Sequence, residues 1–216
     1  PGHVRFLRNM LAGVGGVDAC LFVVAATEGW KPQSEEHLRI LELFGLRHGV
    51  IAMTKRGLVD DEWAEIAQLE IADHVSGTFL ADAPIVAVDS PTGDGLDELR
   101  TALDVLVAET PEAADRSRPR LWIDRAFAAR GSGTVVTGTL TGGRLHRDDD
   151  VLVEPGRRAA RIRSIQSLGA TVESIGAGNR VALNLSGVAH DELGRGDAVV
   201  TPRRWRTTDR FDASLD

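Results

Sequence analysis

Apolar positions follow two different rhythms along the chain, and the change comes near residue 119. Val4 to Ala12 carries Phe6, Leu7, Met10 and Leu11 at helical spacing, and the glycines at 13, 15 and 16 end it. Asp18 to Ala26 contains the near-continuous apolar run ACLFVVAA, which predicts a strand buried on both faces. Pro32 stands where a helix begins. From Gln33 to Phe44 the i, i+3, i+4 pattern runs through Leu38, Leu41 and Leu43 until Gly45. Gly49 to Met53 predicts a second strand, and Pro84 to Val88 a third. Asp60 to Val75 is an amphipathic helix with Asp60 as its N-cap, and Gly95 to Val107 is a further long helix. Strands alternating with helices imply a parallel sheet covered on both faces. Such sheets bind ligands at the carboxyl ends of their strands. The loops after Ala26, Met53 and Val88 are therefore the informative ones.

Residues 109–119, ETPEAADRSRP, are polar, hold two prolines and read as a linker. Beyond them helical signals vanish. Short segments recur between glycines: LWIDRAF, TVVTGTL, DVLVEP, RAARIRSIQS, RVALNLSG and DAVVT. This spacing predicts a β-barrel or sandwich. The expected division is 1–108 for the α/β part, 109–119 for the linker and 120–202 for the β part. Residues 203–216 are then the start of a third domain that is cut off.

Composition places the chain among ordinary globular proteins, with 43% hydrophobic and 26% charged residues. No apolar run approaches the roughly 20 residues that span a bilayer, and no secretory signal is visible. A cytoplasmic protein that avoids membranes is expected, and a monomer, since nothing in the sequence calls for assembly. Cys20 is the single cysteine, excludes an internal disulfide and suits an inert core position. The net charge of −7 is unevenly spread: residues 1–115 carry 8 basic and 20 acidic residues, and residues 116–216 carry 17 basic and 12 acidic ones. All 17 of those cations are arginine. A basic second part beside an acidic first part suits an anionic partner such as RNA. A GC-rich genome explains the choice of arginine over lysine equally well, but not the asymmetry.

Four motifs change the picture. The chain opens PGHVRFLRNMLAGVGGVDACLFVVAATEG, which resembles the switch II region of the translation-factor GTPases. In that family the PGH glycine offers its N–H to the γ-phosphate, and the histidine positions the attacking water; the resemblance puts these roles on Gly2 and catalytic His3. The form RNMLAGVGGVDA resembles the selenocysteine-specific branch of the family. Thr54-Lys55-Arg56-Gly57 follows the strand VIAM where the family has [NT]-K-x-D. The resemblance makes Thr54 and Lys55 nucleotide-binding, with the lysine stem on the guanine ring. Gly57 replaces the guanine-reading Asp. That loss removes charge-assisted hydrogen bonds worth about 1.5–3 kcal/mol each, an affinity cost of roughly 10- to 10,000-fold. Asp60 and Asp61 lie nearby, with helix capping as their expected work. In the loop Asp89-Ser90-Pro91-Thr92-Gly93, Asp89 and Ser90 occupy the positions of the family's base-contacting Ser-Ala pair, whose backbone N–H meets the base carbonyl.

The fourth motif is RLWIDRAFAARGSGTVVTGTLTGGRLHRDDDVLVEP, which resembles the second, tRNA-contacting domain of these factors. Its Gly131–Thr139 core is common to the family; its TVVTGT portion alone reads as a β-branched strand with a glycine bulge. Ile123 to Phe127 again resembles the selenocysteine-specific branch. Asp124, Arg125 and Arg180 are the aminoacyl-tRNA candidates: a cationic pocket would attract an anionic selenolate that neutral serine lacks. A structural ion pair between Arg125 and Asp124 is the alternative. Arg195-Gly196-Asp197 reads as a structural, barrel-closing turn.

The resemblance implies a P-loop-GTPase-like parallel sheet, here lacking its N-terminal strands and phosphate loop, followed by an all-β barrel of the translation-factor type. It implies a GTPase elongation factor that delivers selenocysteyl-tRNA to the ribosome, with GTP/GDP and Mg²⁺ as ligands. An mRNA hairpin would be bound by a C-terminal region beyond residue 216. No G-x-x-x-x-G-K-[ST] occurs in the chain and no metal ligand is identified in it. A truncated sequence that binds GTP poorly by itself is expected. Two other readings stay open: a non-catalytic remnant that binds RNA or a partner through the barrel, and a general carrier of aminoacyl-tRNA.

Overall fold

The computed structural model describes residues 16–129 and 133–212. Gly2, His3, the expected helix over Val4 to Ala12, and Gly131 lie outside the described residues. The chain divides into two compact units, Pro1–Pro111 and Glu112–Asp216.

In the first unit, strands β1 (Ala19–Ala25), β2 (His48–Thr54) and β3 (Ile85–Ala87) form a parallel sheet in the order β1-β2-β3. Helix α1 (Pro32–Leu43) joins β1 to β2, α2 (Asp61–Val75) joins β2 to β3, and α3 (Leu96–Glu109) follows β3. The register pairs Phe22 with Ile51 and Val24 with Met53, so these four share one face. That face packs on Leu38 and Leu41 of α1 and on Ala64, Ala67, Ile71 and Val75 of α2. Each fully buried aliphatic there contributes about 1.5–3 kcal/mol. The strand β2 is buried on both sides, as its apolar run predicts. The strand β1 is not: Leu21 and Val23 are 43% and 55% exposed. The reason is position, since among the described residues β1 is the edge of this sheet while α3 lies along the central β2. Asp60 caps α2 as expected, its carboxylate accepting from the Trp63 N–H at 2.8 Å.

The second unit is all β. Its strands are β4 (Arg120–Trp122), β5 (Arg125–Ala129), β6 (Gly133–Thr141), β7 (Leu145–His146), β8 (Asp150–Glu154) and β9 (Arg158–Ser167). They continue with β10 (Ala170–Val172), β11 (Ser174–Ile175), β12 (Arg180–Ser186) and β13 (Ala198–Val200). The antiparallel path β9-β12-β6-β4-β13-β8 returns to β9 and closes a six-stranded barrel. Alternate residues Val136, Leu140, Val151, Val153, Ile162, Val181 and Leu183 fill its interior. The architecture is thus the expected α/β sheet followed by a β-barrel.

One local expectation is corrected. Gly138 does not form a bulge in β6, whose pairing with β12 runs unbroken through Val181↔Gly138. The extra residue lies opposite, because the register slips by one between Leu121↔Leu140 and Arg125↔Thr137. There the link from β4 to β5 comes so close to β6 that a Cβ at position 138 would lie 2.1 Å from the Trp122 carbonyl oxygen. Glycine is required for that approach.

Candidate functional site

The three loops leaving the carboxyl ends of β1, β2 and β3 hold the base-recognition candidates. Thr54 ends β2, and its hydroxyl donates to the Val24 carbonyl at 3.4 Å, tying the tips of β1 and β2 together. Lys55 follows with a left-handed backbone, φ 59°. For a residue with a Cβ this costs on the order of 1–3 kcal/mol, and such strain concentrates at binding loops. Its Nζ lies 2.9 Å from the Glu28 carboxylate in the loop after β1. Hydrogen bonding and Coulomb attraction from Lys55 hold the Glu28 carboxyl below its usual range, with Lys31 adding a smaller pull. Glu28 was not among the sequence candidates. The loop it occupies was, but an acidic residue in a turn carries no signal until the lysine is placed beside it.

The β2 and β3 loops are strapped to each other. The Arg56 N–H donates to the Val88 carbonyl at 3.1 Å, and the Val88 N–H donates to Met53 at 2.8 Å. This brings Gly57 against Asp89. A Cβ at Gly57 would lie 2.9 Å from both Cγ and Oδ2 of Asp89. Asp89 is only 5% exposed, and its Oδ2 accepts from the Thr92 hydroxyl at 2.9 Å. Its backbone closes the loop through Asp89 N–H to Asp94 O and Gly93 N–H to Asp89 O, both at 2.9 Å. Ser90 is exposed, and among the described residues its N–H has no hydrogen-bond acceptor. Thr54, Lys55, Gly57, Asp89 and Ser90 therefore meet at one end of the sheet. Gly2 and His3 lie outside the described residues. Asp61 ion-pairs with Arg56. Cys20 has its thiol pushed up to about 11 by burial, so it stays protonated near neutral pH.

The barrel candidates also converge. Arg125 pairs across with Thr137, and Arg180 with Thr139, so both arginines flank the outer face of β6. Asp124 sits between them. Its carboxylate binds the Arg180 guanidinium at 2.6 Å and accepts from the Thr137 hydroxyl at 2.5 Å. The ion pair at this place is therefore Asp124–Arg180 rather than Asp124–Arg125. Arg125 is exposed and has no ion-pair partner among the described residues. Arg195, expected to be purely part of a turn, also reaches the cluster: its Nε donates to the Asp124 carbonyl at 3.2 Å. The turn itself is fixed by Gly196 N–H to Ile123 O and Ile123 N–H to Asp197 O.

Among the described residues, no group of three or more His, Cys, Asp or Glu could hold a metal ion. No described helix is long and apolar enough to cross a membrane.

Residues 1–109 match the family described as the elongation factor Tu GTP binding domain. Over 94% of its length the chain is 40% identical to the selenocysteine-specific elongation factor of Desulfomicrobium baculatum. It is 37% identical over 91% of its length to the factor of that name in Escherichia coli. It spans about a third of either relative, 32% in each case. A crystal structure of a bacterial selenocysteine-specific elongation factor superposes with a TM-score of 0.88 at 35% identity, covering 94% of this chain and 34% of the other. The SelB factor of Methanococcus maripaludis, in complex with the GTP analogue GppNHp, gives 0.88 at 29% identity, covering 94% and 45%.

Proposed function

The chain belongs to the elongation factor Tu GTP-binding family of translation GTPases, and from that premise we propose that it serves selenocysteine incorporation, as the GTPase and tRNA-gripping part of a factor that carries selenocysteyl-tRNA to the ribosome. The observation that carries the proposal is Arg125 on β5, which lies opposite Thr137 of β6, is exposed and has no ion-pair partner among the described residues, beside the Asp124–Arg180 pair. Asp124 neutralises one cation and fixes its direction. Among the described residues no carboxylate takes up the charge of Arg125, and on this reading it meets the ligand. A selenol ionises well below a serine hydroxyl, so a guanidinium at this place favours a selenocysteyl over a seryl group by Coulomb attraction.

In the first unit, the Lys55 stem supplies an apolar bed for a purine face, and the Ser90 N–H supplies a donor to a base carbonyl. These groups fit a guanine nucleotide. On this reading Gly2 senses the terminal phosphate and His3 positions water for hydrolysis to GDP and phosphate. Mg²⁺ would be held chiefly by the nucleotide phosphates and water. Binding of a nucleotide and of the aminoacyl end would be coupled through the two units, and hydrolysis would release the tRNA.

The test is protection of the aminoacyl ester against hydrolysis in the presence of GTP, using the whole gene product that carries these residues. Selenocysteyl-tRNA should be protected at concentrations where seryl-tRNA is not, and Arg125→Ala should cut that preference by about tenfold or more, since one charge-assisted contact is worth about 1.5–3 kcal/mol. Equal protection of both esters by the unsubstituted protein would refute the function. An unchanged preference in Arg125→Ala would remove the role of Arg125.

A further inference from the structure

Gly57 leaves the guanine-reading position without a side chain, yet the space beside it is not without a carboxylate. The Asp89 carboxyl carbon sits 2.9 Å from the point where a Cβ on residue 57 would stand, and its two oxygens lie at 2.9 and 3.2 Å from that point. A carboxylate branching from residue 57 would begin where that of Asp89 already is. Asp89 is 5% exposed and, among the described residues, its one side-chain hydrogen bond comes from Thr92 onto Oδ2. A buried carboxylate accepts more than one bond as a rule. Oδ1 therefore has acceptor capacity that no described residue uses.

We propose that Asp89, delivered from the loop after β3, is the purine-specificity residue of this site and takes over the reading of the guanine N1–H and 2-amino group. The proposal rests on the guanine-nucleotide reading above. The two departures in the base-recognition loops are then one change rather than two: the carboxylate moved from the β2 loop to the β3 loop, and glycine at 57 is what makes room for it. Thr92 holds Oδ2, which sets the plane of the carboxylate. The strap from Arg56 N–H to Val88 O keeps the two loops at the separation this needs. An Asp restored at 57 would meet Asp89 in both bulk and charge, since two carboxylates cannot share that space cheaply.

Two measurements on the whole gene product test this. The first compares binding of fluorescent GDP and XDP. Xanthine carries an oxygen where guanine carries the 2-amino group, so it pairs with an amide and not with a carboxylate. Asp89→Asn should lower GDP affinity by at least about tenfold and raise XDP affinity. If the unsubstituted protein binds GDP and Asp89→Asn leaves the GDP-to-XDP ratio unchanged, Asp89 only shapes its loop and the proposal is overturned. If the unsubstituted protein binds no purine nucleotide, the nucleotide reading itself fails and takes the proposal with it. The second is thermal melting, which needs no nucleotide. Gly57→Asp should lower the midpoint, and Gly57→Asp with Asp89→Ser should restore it. A double variant no more stable than the Gly57→Asp single one would overturn the shared-space argument.

Discussion

The Lys55–Glu28 contact illustrates how little an ion pair says about stability and how much it says about placement. Both side chains are about half exposed, at 48% and 52%. Pairs of this kind contribute little to folding. Its sign is nevertheless definite. The Glu28 carboxyl is held below its ordinary value, so whatever stabilisation it gives is present above that ordinary value and fades as pH falls through the depressed one. In Lys55→Ala the Glu28 titration should move up toward the ordinary carboxylate range. Carboxyl-resolved NMR titration reads this directly, and an unmoved curve would mean that Lys55 is not its partner in solution. A clasp this weak also leaves Lys55 free to exchange Glu28 for a ligand.

At the scale of elements, β6 shows how one residue decides whether a barrel closes. Its inward residues and its β-branched character were plain from TVVTGTL. The need for glycine at 138 was legible only as a possible bulge. The structure gives it another cause: the link from β4 to β5 carries one extra residue alongside β6, with the Trp122 carbonyl in the space a side chain would fill. Gly138→Ala should therefore destabilise the barrel by about 2 kcal/mol or more, the scale of overpacking a filled site. Urea denaturation with an unchanged slope would measure it. A loss under about 0.5 kcal/mol would mean that the link loosens without cost. Beside this strand, Arg118 and Arg120 lie over the Trp205 ring at 4.5 and 4.6 Å, and Arg120 lies over Trp122 at 4.8 Å. Trp205 also donates from Nε1 to the Pro119 carbonyl at 3.1 Å. Residues just past the last barrel strand thus pack back on the segment that leads into the first one.

At the scale of the molecule, each unit has a core of its own: Phe22, Ile51, Met53 and Ile71 in the first, Leu121, Val136, Ile162 and Leu183 in the second. A separate core is what lets a domain fold alone. Residues 112–216 expressed by themselves should give one cooperative unfolding transition. A transition that is broad, or differs between circular dichroism and tryptophan fluorescence, would show that the barrel depends on the rest of the chain.

The sequence by itself determined the architecture and most of the candidate residues. The period of apolar positions changes from helical to alternating near residue 119, and periodicity is a local property that a single chain carries in full. The motif order placed Thr54, Lys55, Asp89 and Ser90 on loops at the carboxyl ends of strands, because a parallel sheet turns its β-to-α loops all one way. What the sequence left open were matters of distance between segments far apart in the chain. Which arginine Asp124 takes depends on β12 lying beside β6, a pairing across more than 40 residues. Whether Gly57 is a loss or a vacancy filled from elsewhere depends on the 2.9 Å that would separate a Cβ at 57 from the carboxyl of Asp89, 32 residues further on. Only tertiary structure decides such cases, because side-chain chemistry acts over a few ångströms while sequence order fixes neighbours along the chain alone.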